Sequence, residues 1–244
     1  MQGEDRKMAK PRKPSRIKLE IIQAATELFL EHGFHKTTSK MVCERAEVGT
    51  GNLTFYYPTK EHILAVLVRM SCDFQWQVME ANEDEGKSPL LSYLLELTAM
   101  AAISEENEQM MELYSAFYAH PLTLDIIRTN DVPKMKQAFG EYCKEWTEEQ
   151  FEEAEAIVSG IEYATVVRTE HTVPLPVRIE GALNSIMLLF GVPEDIRKMK
   201  IEKVLSMDYR AIGRHFCEGF KKYALETTEH AIEEHIKNAK PRRY

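Results

Sequence analysis

From about residue 16 the chain carries a helical period: Ile21, Ala25, Leu28 and Phe29 recur at i, i+4, i+7 and i+8 and share one face. Gly33 stands where a helix needs a left-handed closing residue, so the first helix is expected over 16–32, with Phe34 folding back onto the core. Thr37 and Thr38 precede the next run, and a threonine there is a natural N-cap whose oxygen takes an orphan backbone N–H. Val42, Cys43 and Ala46 form the buried side of a short second helix, while Lys40, Glu44 and Arg45 face outward. A break at 47–49 leads to a third helix that stops before Pro58, and a longer one opens at Lys60. At about 100° per residue, Leu53 and Tyr57 turn inward in the third helix, and Gly51 and Phe55 lie near the opposite pole between Asn52 and Thr54.

Further helices are expected over 60–80, 89–104, 107–120, a kinked stretch 121–146 around Pro121 and Pro133, 148–170, 174–191 and a long final 208–237. No alternating run of useful length appears, so the fold class is all-α: a three-helix helix-turn-helix unit followed by a larger helical body. Two late stripes, Ala182, Ile186, Leu189 and Phe190, then Ile212, Phe216, Phe220 and Tyr223, are wide enough for an interface, with Gly213 and Gly219 allowing close approach. The alternative is that they form the core of a single protomer.

The net charge of −8 argues against a nucleic-acid partner until its placement is considered. Residues 1–62 hold eleven Lys/Arg against eight Asp/Glu, and the remainder 20 against 31, so a basic head precedes an acidic body. Residues 1–15, with Arg6, Lys7, Lys10, Arg12 and Lys13 together with Pro11 and Pro14, read as a mobile arm that is either a solvated tail or a contact to phosphates or a minor groove. The apolar stretch 185–192 is far shorter than the roughly 20 residues that span a bilayer, so no membrane role is expected. Cys43, Cys72, Cys143 and Cys217 are scattered without a CxxC pair, which suits a reducing, cytoplasmic setting.

The third helix carries the most specific chemistry. Gly51 permits close backbone approach, Asn52 can pair with an adenine edge, and Phe55 or the methyls of Thr50 and Thr54 can touch thymine methyls. Phe55 alone would suit a protein partner as well. No metal, cofactor or enzymatic activity is expected: His215-Phe-Cys217 and the cluster of Glu229, His230, Glu233, Glu234 and His235 lack zinc spacings, and no phosphate-binding Gly loop or nucleophile elbow occurs.

Residues 16–64 resemble the DNA-binding domain of the TetR family of bacterial transcriptional regulators. The resemblance rests on Ala24-Ala25-x-x-Leu28-Phe29, Gly33-Phe34, Thr37-Thr38, the run Val48 to Leu53 and Tyr57-Pro58-Thr59-Lys60-Glu61. It implies that Thr38 caps the second helix and holds a phosphate, that Lys40 lies near the backbone or a base, that Thr50, Gly51, Asn52, Thr54, Phe55 and Tyr56 face the groove, and that Lys60 clamps a phosphate. Three positions depart from the family pattern: Glu47 replaces the usual turn glycine, Gly49 the usual serine cap and Thr50 a common lysine. With no cation on the third helix, electrostatic attraction is expected from the arm, Lys36, Lys40, Arg45 and Lys60.

The resemblance further implies an arm over 1–15, a DNA-binding domain over 16–62 and an effector-binding and dimerisation domain over 63–240. It also implies a homodimer through a four-helix bundle of the last two long helices, a palindromic operator and an unknown small-molecule effector that releases a repressor. In that reading Met100, Met110, Tyr114, Phe117, Tyr118, Tyr142, Trp146 and Tyr163 line the effector pocket, and His120 and Arg168 are polar anchors. Core packing explains each of them as well. The alternative function is a helical protein-interaction or DNA-architectural protein of the same fold.

Overall fold

A computed structural model describes residues 12–84 and 87–239, all of whose regular structure is helical. The first helix, α1 (Pro14–His32), starts two residues before the expected position because Pro14, near its first position, has its φ preset and needs no N–H partner. It ends at Gly33, whose φ of 85° suits glycine and whose N–H donates to Phe29 O at 3.0 Å. Arg12 and Lys13 are what remains of the expected arm here, since residues 1–11 lie outside the described residues.

α2 (Ser39–Arg45) is capped by Thr38 Oγ1, which accepts from Met41 N–H at 3.2 Å. Thr37 is buried and donates to the carbonyls of Leu28 and Gly33, so the two threonines divide the work of closing one helix and opening the next. α3 (Thr50–Tyr56) follows, then α4 (Lys60–Asp84), α5 (Pro89–Glu106), α6 (Glu108–Ala119), α7 (Pro121–Phe139) and α8 (Glu148–Val166). α9 (Leu175–Leu189), α10 (Glu194–Leu205), α11 (Tyr209–Leu225) and α12 (Glu229–Asn238) complete the described chain.

The expected helix over 208–237 is two helices. Thr228 Oγ1 accepts from Ala231 N–H and starts α12 afresh, a local bond that competes with continuing α11. α10 escaped the periodicity because only Ile201 and Val204 are buried on an otherwise charged helix. Its start is nonetheless signalled by Pro193 followed by Glu194 and Asp195 at the positive end of the helix dipole. Pro133 lies exposed within α7, which continues through it to Phe139.

Burial organises these helices around α5, thirteen of whose eighteen residues are buried, enough to enclose it on all sides. One core joins α1–α4 to α6 and the later parts of α11 and α12 through residues such as Phe29, Leu53, Tyr57, Leu64, Phe220 and Ile232. A second joins α5 to α7–α10 through Leu94, Met135, Phe139, Ile186, Phe190 and Val204.

The helix-turn-helix unit is tied to the body at several points. Ser15 Oγ donates to Glu229 at 2.6 Å, Lys18 Nζ bonds Glu233 at 2.8 and 2.9 Å, and Gln23 Nε2 donates to Leu225 O at 2.7 Å, so α1 is strapped to the end of α11 and to α12. On its other side, His35 N–H donates to a Glu112 carboxylate oxygen on α6.

Candidate nucleic-acid interface

The α2–α3 turn is made by Glu47, whose φ of 52° puts a non-glycine residue in the left-handed region. Val48 N–H donates to Cys43 O at 3.0 Å and closes the turn, while Arg12 Nη1 donates to the carbonyls of Ala46 and Glu47 at 3.2 and 3.1 Å. The left-handed conformation costs an L-residue about 1–2 kcal/mol, more than the roughly 0.4–1 kcal/mol that glycine loses through its freer unfolded chain. Glu47→Gly is therefore expected to stabilise the protein by about 0.5 kcal/mol, read as a higher urea midpoint at unchanged slope; a lower midpoint would contradict the strain argument.

Leu53 and Tyr57 are buried, and Tyr57 Oη donates to Lys18 O at 3.3 Å, which anchors the end of α3 on α1. That anchoring turns Thr50, Gly51, Asn52, Thr54 and Phe55 to the surface, with Phe55 79% exposed. Nothing lies within 4 Å of where a Gly51 Cβ would be, so the backbone there is open to a groove. Thr54 Oγ1 donates to Thr50 O at 3.0 Å, leaving its methyl as the outward group. Tyr56 is half-buried, its ring edge-on to Phe55 at 5.0 Å and 5.5 Å from the Lys18 ammonium.

The cations around this face are largely committed. Arg45 bonds Glu27 and Glu31, each at 2.9 Å; Arg16 bonds Glu20 at 2.8 Å; Arg12 is held on the turn. Lys60, expected as a phosphate clamp, donates to Phe34 O at 2.7 Å and Thr37 O at 3.1 Å and lies 4.1 Å from the Phe34 ring centre. Burial lowers its pKa, and two of its three protons are spent stitching α4 to the α1–α2 turn. Lys36 and Lys40 remain exposed beside Thr38, Lys40 with only a 3.8 Å contact to Glu44.

The ten residues considered for an effector pocket do not converge. Met100, Tyr114, Phe117 and Tyr118 line a space of about 20 Å³, near the size of one water. Met110 packs in the first core, and Trp146 packs against Phe151 and Phe190, with the half-buried Tyr142 near the same core. His120 Nδ1 accepts from Leu122 N–H as the cap of α7, Tyr163 lies edge-on to Tyr118, and Arg168 is 3.8 Å from Glu105. A larger cavity of about 680 Å³, lined by none of these ten, opens between α4, α5 and α11. The clue in the sequence was a set of polar residues, Gln75, Ser92 and Glu96, within otherwise apolar helix faces.

The stripes that suited an interface are interior. Ala182, Ile186 and Phe190 belong to the second core, where Phe190 stacks on Phe139 at 4.2 Å, and Leu189 packs half-buried against it. Phe216 and Phe220 meet Phe74 at 5.1 and 6.1 Å, and Ile212 lines the large cavity. Gly213 serves the crossing of α11 over α5, since a Cβ there would stand 2.8 Å from Ala99 O. Exposed apolar groups among the described residues include Ile157 and Tyr163 on α8, Val173 before α9, Val177 and Leu188 on α9 and Met199 on α10, and Gly160 on α8 and Gly181 on α9 are open.

A two-turn helix capped by threonine, a tight turn and an outward, uncharged third helix define an all-α helix-turn-helix protein. Residues 21–67 match the family described as bacterial regulatory proteins, tetR family, so this part of the chain is similar to the DNA-binding domain of those regulators. It is similar to the HTH-type transcriptional regulator RutR of Escherichia coli (strain K12), with 31% identity over 85 residues, 35% of each chain. The match thus spans about a third of the length of the curated relatives. Among solved structures it resembles a TetR transcriptional regulator from Rhodococcus sp. RHA1, with a TM-score of 0.50 at 16% identity over 72% of this chain and 97% of that one. A gamma-butyrolactone receptor (ArpA like protein) aligns with a TM-score of 0.43 at 17% identity over 84% of this chain and 98% of its own. Among the described residues, no helix is long and apolar enough to cross a membrane, and no group of His, Cys, Asp or Glu is placed to hold a metal ion.

Proposed function

We propose that this protein is a homodimeric transcriptional repressor that binds a palindromic operator and leaves it when a small molecule occupies the helical body. The observation that carries the reading is the outer face of α3, where Gly51, Asn52, Thr54 and Phe55 stand exposed on a helix whose opposite side is locked to α1. A small, polar and aromatic face suits base edges and thymine methyls, and Thr38, Lys36 and Lys40 flank it for phosphates. Sequence preference is then carried by α3, and among the described residues the cations best placed to attract DNA are Lys36 and Lys40.

The face formed by Ile157, Gly160, Val177, Gly181 and Leu188 supports association of two copies through α8 and α9 in place of the stripes first considered. Two-fold symmetry would present two copies of α3 to the two halves of a palindrome.

The test is selection of operators from random duplexes, followed by titration at several salt concentrations. The wild-type protein should prefer its selected palindrome by about a thousandfold or more over random DNA, with two chains bound per site. Replacing Asn52, Thr54 and Phe55 by alanine should cost about 1–3 kcal/mol of preference per base contact and leave the salt slope in place. Equal affinity for selected and random DNA would favour an architectural role, and a uniform loss on every sequence would remove base readout from α3.

A further inference from the structure

The cavity between α4, α5 and α11 has a chemical polarity of its own. Phe74, Val78, Leu95 and Ile212 give it apolar walls, and its volume of about 680 Å³ falls within the range of pockets for drug-sized molecules. Three polar residues interrupt those walls: Gln75 from α4, and Ser92 and Glu96 one turn apart on α5. Ser92 is only 4% exposed, and its Oγ has no hydrogen-bond partner, which is costly for a hydroxyl that lines a dry wall and ordinary for one that meets a ligand.

Behind Glu96 the charges do not balance. The Lys134 ammonium lies 3.0 Å from Glu96 and 3.3 Å from Asp131, one cation between two carboxylates, and its third neighbour is the neutral Gln75 Oε1 at 3.1 Å. An occupant that brings a positive charge and N–H donors to Glu96 completes this arrangement, whereas a carboxylate there meets like charge. At the outer end Lys87 donates to Asn82 at 3.0 Å, and His215 stands exposed.

We propose that this cavity is the effector site and that its occupant is a lipophilic organic amine, bound as its cation, with the ammonium at Glu96 and Ser92 and the apolar part against Phe74, Leu95 and Ile212. The proposal rests on the effector reading above and gives it a location and a chemistry. It also supplies a route. α11 is one wall of the cavity, and its last residue, Leu225, accepts the hydrogen bond from Gln23 of α1, so an occupant that displaces α11 pulls on the DNA-reading unit.

The experiment is calorimetric titration of the DNA-free protein with n-decylamine, 1-decanol and decanoate below their micellar concentrations, with operator release measured in parallel. n-Decylamine is expected to bind about 10- to 100-fold more tightly than 1-decanol, with decanoate weakest. Glu96→Gln should remove that advantage and leave decanol binding in place, and Ala211→Phe, which fills the cavity from α11 without touching the charged groups, should abolish binding of all three. Decanoate binding as tightly as the amine would overturn the proposal and move the head group to Lys87. Amine binding that survives Ala211→Phe would overturn it by placing the site elsewhere. Failure of all three to bind while operator affinity persists would overturn the amine site and leave DNA binding standing. Tight amine binding with no operator release would uphold the site and sink its effector role.

Discussion

Lys134→Met is expected to destabilise the protein by about 3–5 kcal/mol, the cost of breaking a buried ion pair from one side. The side chain is fully buried within α7, and its ammonium is bonded to Gln75 on α4 and Glu96 on α5 and paired with Asp131 one turn back. Burial alone would drive its proton off, but Asp131 and Glu96 outweigh that and hold its pKa above the ordinary lysine value. Methionine fills similar volume without charge, so the loss reports the two stranded carboxylates more than a cavity. The urea midpoint should fall at constant slope, and adding Glu96→Gln should recover part of the loss. A change within about 0.5 kcal/mol, as at an ordinary surface site, would show that the network is already neutral without the lysine.

Stability is also expected to decline as pH rises from the ordinary glutamate value of 4.5 to about 9, because two more carboxyls are buried with raised pKa values. Glu155 on α8 is fully buried, neither of its oxygens has a hydrogen-bond partner, and Arg128 Nε stands 3.5 Å away. Burial, then Asp131 and Glu162, push its pKa up to about 9. Glu162 is raised to about 8 by burial, then by Asp131 and Glu96, although the hydroxyls of Tyr93 and Tyr118 donate to it at 3.0 Å each.

Both pKa values lie above the 4.5 of an unperturbed glutamate, so between that value and about 8 to 9 the folded state binds more protons than the unfolded state. The associated stability is complete on the acid side of this window and is lost as pH rises through it. Glu155→Gln removes one of the two groups. It should flatten the decline and leave the variant about 1–3 kcal/mol ahead of the wild-type protein near pH 8, after comparison of the two near pH 5. Parallel stability curves for variant and wild type would show that Glu155 ionises freely in the fold.

The helix-turn-helix unit was readable because its signals are local. Gly33 at a positive φ, Thr38 as a cap and Leu53 with Tyr57 on one side of α3 each depend on neighbours within a few positions. The body was less readable because an apolar stripe reports burial without naming what covers it. Ile186, Phe190 and Phe216 have the spacing of an interface, yet they are covered by α7, by the segment after it and by α4 of the same chain. Gly213 allows a close crossing, but the partner is α5.

The cations lost their expected freedom for a similar reason. Arg45 and Lys60 look available in sequence, and only the fold brings Glu27, Glu31 and the Phe34 carbonyl against them. Lys134 and Glu155 resemble residues of solvated helix turns until α4, α5, α7 and α8 meet around them.

The strap between α1 and α12 bears on the order in which the molecule assembles. Ser15 and Glu229 are 214 positions apart, and Lys18 and Glu233 are 215 apart, so these bonds close very long loops. Loops of that length form slowly and only after intervening contacts have shortened the search. On a ribosome α1–α3 emerge early, but α1 gains these supports only when the residues of α12 have been synthesised. A nascent or prematurely ended chain would therefore hold a helix-turn-helix that is present but unlatched until α12 is made.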